Sequence, residues 1–169
     1  VTYENYTQAV GTNGLVSYWK MEDNVAGAGF SVNDSMGLNN GTTSGDVDCT
    51  VNGYMNQGCS FDGVGDYVNM SVDSSLNLNI FSMSTWIKVN GFAGAEDVII
   101  GKGWFNQNGG GPMLGIYYIN PSLGWYQFGT NSTGSGKNAE STTKPSIGVW
   151  THLVGTYDGE TARIYVNGI

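Results

Sequence analysis

The feature that most restricts this chain is a succession of short apolar runs with a period of two. Each run is cut off by Gly, Asn, Asp or Ser before it reaches helical length. The clearest is Phe81-Ser-Met-Ser-Thr-Trp-Ile-Lys-Val89, where Phe81, Met83, Thr85, Ile87 and Val89 alternate with Ser82, Ser84, Trp86 and Lys88. Such alternation predicts a strand with one face turned inward. Trp86 falls out of step with the apolar row, which predicts that both faces of this strand are partly covered, as in a sandwich. Similar runs occupy Leu15–Met21, Cys59–Asp62, Asp66–Met70, Val98–Lys102, Met113–Tyr118, Trp125–Phe128, Trp150–Tyr157 and Ala162–Val166. A solvated helix needs Glu and Lys on its outer face, and Lys plus Arg total only six in 169 residues that include 27 Gly. The expectation is an all-β fold of about ten short strands, a sandwich or barrel around one core.

Residues 1–13 are polar and read as a lead-in segment, with the domain running over 14–169. Asp23 to Asn40 reads as a long loop and Asp73 to Asn79 as a short turn. Cys49 and Cys59 flank the turn-forming residues Asn52-Gly53 and Asn56-Gln57-Gly58. They are expected to face each other across a hairpin and to form a disulfide, the alternative being two buried thiols. Two cysteines and one histidine are too few for a typical structural zinc site. Asn167-Gly168 is a strong hairpin-turn dipeptide with only Ile169 after it, so the strand Arg163–Asn167 is expected to take a partner strand from outside these residues. The formal net charge of −8 repels phosphate backbones and disfavours nucleic-acid partners. No apolar stretch approaches the ~20 residues of a membrane span.

Six segments then occur in a specific order. They are Gly14-Leu-Val-Ser-Tyr-Trp-Lys-Met-Glu-Asp23, Asp34-Ser-Met-Gly-Leu-Asn-Asn-Gly-Thr42, Cys59-Ser-Phe-Asp-Gly-Val-Gly-Asp-Tyr-Val68, Met83-Ser-Thr-Trp-Ile-Lys88, Gly148-Val-Trp-Thr-His-Leu-Val-Gly-Thr-Tyr-Asp-Gly159 and Arg163-Ile-Tyr-Val-Asn-Gly168. Over residues 14–168 this set resembles the laminin-G-like, concanavalin A-type domains of bacterial and archaeal surface proteins. The resemblance implies a two-sheet antiparallel jelly-roll sandwich. It also implies binding of carbohydrate or protein, adhesion, or service as an accessory module. Members normally continue beyond the Val-Asn-Gly turn with further strands.

Glucanases of this fold carry a Glu-x-Asp-x-x-Glu cluster on one strand, and nothing of that form is present. Glu22-Asp23 and Glu96-Asp97 are adjacent pairs that point to opposite faces when extended. His152, the only histidine, reads as a packed structural residue because no paired nucleophile is evident. The chain is therefore expected not to be an enzyme. Asp34, Asn39 and Asn40 supply the short oxygen side chains that calcium takes, with Asp62 and Asp66 as supplements; the metal set expected is Asp34, Asn39 and Asp62. The competing reading is that these side chains build turns, and that Asp62 and Asp66 cap backbone amides. Asn-X-Ser/Thr sequons begin at Asn5, Asn33, Asn40, Asn69 and Asn131 and mark candidate glycosylation sites. Trp104, Phe105, Tyr118 and Trp125 are the aromatics proposed to contact a sugar, against the alternative of core packing. The functional expectation is an extracellular surface protein that adheres or assembles into a filament or layer. Its partners would be copies of itself or other surface proteins. A carbohydrate-binding module is the alternative.

Overall fold

A computed structural model describes residues 14–70, 74–92, 96–102, 111–120, 123–130 and 136–169, without the side chains of 118–120 and 123. The chain divides into two compact units, Val1–Asn77 and Leu78–Ile169. Among the described residues the regular structure is strand, apart from one 3-10 turn at Ser74–Leu76.

The first unit holds β1 (Ser31–Val32), β2 (Gly41–Ser44), β3 (Asp48–Asn52), β4 (Gln57–Ser60) and β5 (Tyr67–Met70). Strands β1, β2 and β5 make an antiparallel sheet in that order, and β3 and β4 form a separate hairpin. The hairpin turn runs over Gly53 to Asn56, closed by the Gly53 N–H on the Asn56 carbonyl at 2.9 Å, with Asn56 left-handed. The expected Cys49–Cys59 disulfide joins its two strands, with Cα atoms 3.8 Å apart.

Two expectations need correction here. Leu15–Met21 is not a regular strand: it contributes one isolated bridge, Trp19 to Asp34. The Tyr18 N–H that a ladder would use goes instead to the Asp34 carboxylate at 2.8 Å, and Met21 ends the run at φ 58°. Asp23 to Asn40 is not simply a loop, since it contains β1 and bonds to the hairpin through Gly27 N–H on Val47 O and Cys49 N–H on Val25 O, both 2.8 Å. Strands of two to four residues such as Ser31–Val32 and Gly41–Ser44 are too short and too polar to display a period.

Asp34 ties these segments together. It is only 5% exposed, and its carboxylate accepts the backbone N–H groups of Tyr18, Met36, Leu38 and Asn39 at 2.8–3.3 Å. Burial alone would raise its pKa; the four amide donors outweigh that and hold it below the ordinary carboxylate value. The fully buried Asn39 donates to Ser17 Oγ at 2.7 Å and Ser75 Oγ at 3.0 Å, while its backbone carbonyl accepts the Trp19 indole N–H at 2.7 Å.

The second unit holds β6 (Phe81–Lys88), β7 (Glu96–Gly101), β8 (Met113–Asn120), β9 (Leu123–Gly129), β10 (Asn138–Glu140), β11 (Trp150–Tyr157) and β12 (Ala162–Val166). They form two antiparallel sheets, β10-β9-β8-β7 and β12-β11-β6. Leu114, Ile116, Tyr126 and Phe128 of the first sheet meet Leu153 and Val166 of the second, with Phe81, Met83, Ile87, Tyr157 and Ile164 packed around them. Phe81 and Phe128 stand 5.8 Å apart, and the Tyr126 hydroxyl donates to Thr151 Oγ1 at 3.4 Å. The sheets approach closely because β11 carries Gly155, where a Cβ would overlap the Phe128 ring. The chain turns after β12 at Asn167-Gly168, both left-handed, and Val166 and Ile169 exchange backbone hydrogen bonds at 2.9 and 3.2 Å. This is a two-residue hairpin turn of the type that Asn-Gly favours.

Two outcomes are expected. Gly155→Ala should cost about 1–3 kcal/mol in urea unfolding, as overpacking of a tight core contact does; an unchanged midpoint would contradict the contact. Asp34→Ala leaves four amides without their acceptor and should cost on the order of 3 kcal/mol. A wild-type-like unfolding curve for that variant would show that Asp34 does not hold the first unit together. Because the Asp34 pKa is depressed on folding, its contribution is present above the unfolded value and is lost as pH falls through the folded one.

Candidate functional site

Sealing one face of an antiparallel sheet fixes what its other face presents. With Leu114, Ile116, Tyr126 and Phe128 in the core, the residues between them face away from it. The register gives two cross-strand rows on that outer face. One runs Glu96, Tyr117, Trp125, and the next runs Val98, Gly115, Gln127, Glu140. Tyr117 and Trp125 stack with centroids 4.9 Å apart and planes 19° from parallel. Gln127 is a polar side chain only 8% exposed. The Trp125 Nε1 is buried and has no hydrogen-bond acceptor among the described residues. An unsatisfied buried donor is costly, and in a native protein such a group invites an explanation in terms of a bound water, ion or ligand. Gly115 adds no side chain to the centre of this face, a pattern that marks close approach of another group.

Glu96 and Glu140 are the carboxylates of this face within the described strands. They lie on β7 and β10, three strand spacings apart, so their backbones are separated by about 14 Å. Paired glycosidase carboxylates sit about 5–5.5 Å apart in retaining enzymes and 6.5–9.5 Å apart in inverting ones. The next carboxylate, Asp97, is paired with Ile116 and so belongs to the core side of β7.

A second constellation lies on the outer face of the sheet β12-β11-β6. His152 stacks on Trp86 at 4.9 Å, and Lys88 Nζ lies 5.3 Å from the Trp150 ring centroid. These aromatic faces are engaged by one another and by a cation, an arrangement that stabilises cross-strand pairs. His152 Nε2 lies 2.8 Å from Ser84 Oγ, a pairing that diagonal contacts between strands conceal in the sequence. Burial holds the imidazole below its ordinary pKa. The pair has the nucleophile–base contact of an acyl-transfer site, and no side-chain acceptor for the other ring nitrogen is seen among the described residues.

The third cluster belongs to the first unit. Asp46, Asp62 and Asp66 each bring a carboxylate oxygen within 4.8 Å of the others. Asp66 accepts the Asp46 N–H at 2.8 Å and the Asp62 N–H at 3.0 Å, and Asp62 accepts the Val64 N–H at 2.6 Å, so both cap amides in the turn. A side-chain hydrogen bond to Asp66, and its charge, raise the Asp46 pKa; the Asp62 amide leads the effects that lower that of Asp66. The expected metal set Asp34, Asn39 and Asp62 does not assemble. Asp34 and Asn39 are buried and held by protein groups, whereas Asp62 belongs with Asp46 and Asp66.

Of the aromatics expected to contact a sugar, Trp125 lies on the outer face just described. Trp104, Phe105 and the Tyr118 side chain lie outside the described residues. So do the sequons at Asn5 and Asn131. Asn33, Asn40 and Asn69 are exposed; the Asn33 amide donates to Asp23 at 2.6 Å, and Asn40 Oδ1 accepts the Asp34 N–H at 2.9 Å. Tyr117, Gln127, Glu96 and Glu140 are not distinguished by the sequence, because only the register shows that they flank Trp125.

Two antiparallel sheets closed over one apolar layer, with an outer face bearing a stacked aromatic pair, define a β-sandwich module of the lectin-like kind. The chain belongs to the concanavalin A-like lectin/glucanases superfamily, whose laminin G-type family model matches residues 62–169. That stretch covers well over half of the chain and all of its second unit. Comparison with curated proteins finds no match, nor does comparison with solved structures.

Asp66→Asn is expected to return the Asp46 pKa toward its ordinary value, read by carbon-detected NMR titration of the carboxyls. An Asp46 titration unchanged by that substitution would mean that the two side chains do not share a proton.

Proposed function

We propose that this chain is a non-catalytic, extracellular recognition module that adheres to carbohydrate through the outer face of the sheet β10-β9-β8-β7. The observation that carries the reading is the buried Trp125 N–H without an acceptor among the described residues, beside the Tyr117–Trp125 stack. Sugars present ring oxygens and hydroxyls that accept such a donor, and apolar ring faces that pack on aromatics. Gln127 and Gly115, both buried, belong to the same face. Membership of a superfamily that includes lectins supports the reading. The Cys49–Cys59 disulfide supports an oxidising, extracellular location, and no helix among the described residues is long and apolar enough to cross a membrane. Calcium belongs to this reading at Asp46, Asp62 and Asp66 rather than at Asp34 and Asn39. Added Ca²⁺ should then raise the Tm of the wild-type protein and leave that of Asp62→Asn/Asp66→Asn unchanged.

A second reading, self-assembly by strand addition, is favoured by β12. Among the described residues this regular strand pairs only with β11. Neither a proline nor a bulge interrupts the edge that no described strand pairs, and there the strand of another copy or of another surface protein could add. Light scattering that shows concentration-dependent oligomers, abolished by Tyr165→Pro, would favour assembly.

The leading reading is tested with a glycan array followed by calorimetry on the best ligand. Trp125→Phe, which keeps a ring and removes the N–H, should weaken binding about 5- to 10-fold, the value of one hydrogen bond. Trp125→Ala should weaken it further, with the unfolding midpoint measured in parallel. Absence of binding across neutral and charged glycans, or binding indifferent to Trp125, would contradict it.

A further inference from the structure

The three-stranded sheet of the first unit has an inner and an outer row of its own. Val32, Gly41 and Thr43 are buried, and a Cβ on Gly41 would meet the side chains of Val68 and Met70, so these five positions share the inner side. Strand alternation then turns Ser31, Thr42 and Asn69 outward, and the register sets them side by side across β1, β2 and β5. One step further along the β1–β2 ladder, Asn33 stands opposite Asn40. The fold thus gathers three Asn-X-Ser/Thr sequons at one sheet, each with its asparagine exposed.

The three differ in what surrounds the acceptor amide. The Asn33 Nδ2 donates to Asp23 Oδ1 at 2.6 Å, and the same oxygen accepts the Asn33 backbone N–H at 3.0 Å, so that amide is tied down. Its sequon also runs into the Asp34 turn, where the Ser35 N–H donates to the Tyr18 carbonyl at 2.8 Å. Asn40 instead uses its side-chain oxygen, which accepts the Asp34 N–H at 2.9 Å; a substituent on Nδ2 leaves that bond in place. Asn69 makes no side-chain hydrogen bond among the described residues. A second observation separates the same two from Asn33. Leu38, two residues before Asn40, is 64% exposed, and Tyr67, two before Asn69 and on the same face of β5, is 54% exposed. The residue two before Asn33 is the polar Ser31. Beside each of the two acceptors there is therefore an apolar surface for a saccharide to cover, in Tyr67 a ring on which a sugar face stacks.

We propose that Asn40 and Asn69 are N-glycosylation sites and that the outer face of the sheet β1-β2-β5 is a glycan-bearing surface. The proposal rests on the extracellular part of the reading above. In the transfer, the amide Nδ2 attacks the anomeric carbon of a saccharide carried on a lipid phosphate. The N–C bond forms as the C–O bond to phosphate breaks, Nδ2 gives up one proton, and the lipid phosphate leaves with the bonding pair; nothing is oxidised or reduced. The hydroxyl two residues after the asparagine completes the acceptor motif, and for Asn40 it is that of Thr42, exposed on the outer row of β2. A bulky, solvated group on this row displaces no core contact, because the inner row points the other way.

The test is glycopeptide mapping by tandem mass spectrometry on the mature protein purified from its source organism. The Cys49–Cys59 linkage is read in the same non-reduced digest. Saccharide mass should be found on the peptides of Asn40 and Asn69 and not on that of Asn33. Both asparagines unmodified with the disulfide formed overturns the glycosylation and leaves the extracellular reading standing. Both unmodified with free thiols overturns the two together. Saccharide on Asn33, or on only one of the other two, overturns the assignment by local geometry. Asn69→Gln made in the same host should lower the Tm by about 2–4 °C, the effect of one aromatic contact in a chain of this size, and by less in a Tyr67→Ala background. An equal fall in both backgrounds overturns the stacking on Tyr67.

Discussion

The close approach of the two sheets at Gly155 and Phe128 is the constraint on which the second unit depends. A side chain of any size at Gly155 would hold the sheets apart, and Phe128 would lose the notch that receives its ring. With Phe128 fixed inward, strand alternation allows no freedom to its neighbours: Gln127 must face outward, and so must Trp125. One packing contact thus determines both the apolar core and the character of the opposite surface. The face proposed to bind is the necessary other side of the core.

A comparable role in the first unit falls to Asp34. This unit has few large apolar groups to bury, Val32, Val47 and Cys49 being the fully enclosed ones among the described residues. Its order depends on directed hydrogen bonds rather than on area. A single carboxylate collects four backbone donors from two chain segments, and Asn39 links the same region to Ser17 and Ser75. The disulfide adds roughly 2–3 kcal/mol by closing a short loop. The two units therefore use different physics: interdigitated aromatic and aliphatic side chains in one, a polar knot and a covalent tie in the other.

Much of the fold is legible in the sequence because strand alternation survives where strands are long. Trp150–Tyr157 and Ala162–Val166 have the limits their sequence pattern predicts, and Phe81–Lys88 differs by one residue. Ser31–Val32, Gly41–Ser44 and Asn138–Glu140 are not legible, since two to four mostly polar residues cannot show a period. Asp34 and Asn39 stand out in the sequence, but their role does not. Short oxygen side chains suit calcium and backbone amides equally, and only the fold decides which arrives. Trp125 is conspicuous as an aromatic next to a core strand. Tyr117 becomes its partner only once β8 and β9 are set in register, and Ser84 becomes the neighbour of His152 only through a diagonal contact between strands. The sequence carries residue types, whereas a site requires knowing which strands are adjacent.

The central claim is that the outer face of the four-stranded sheet, through Trp125, is where this lectin-like module meets its ligand. The most direct measurement is the indole N–H region of the nitrogen–proton NMR spectrum, with the Trp125 signal assigned by its loss in Trp125→Phe. Titration with a neutral oligosaccharide should shift the Trp125 signal saturably, while those of Trp86 and Trp150, on the opposite sheet, stay in place. Shifts at Trp86 or Trp150 with a stationary Trp125 would contradict the account and move the binding surface to the sheet that carries His152.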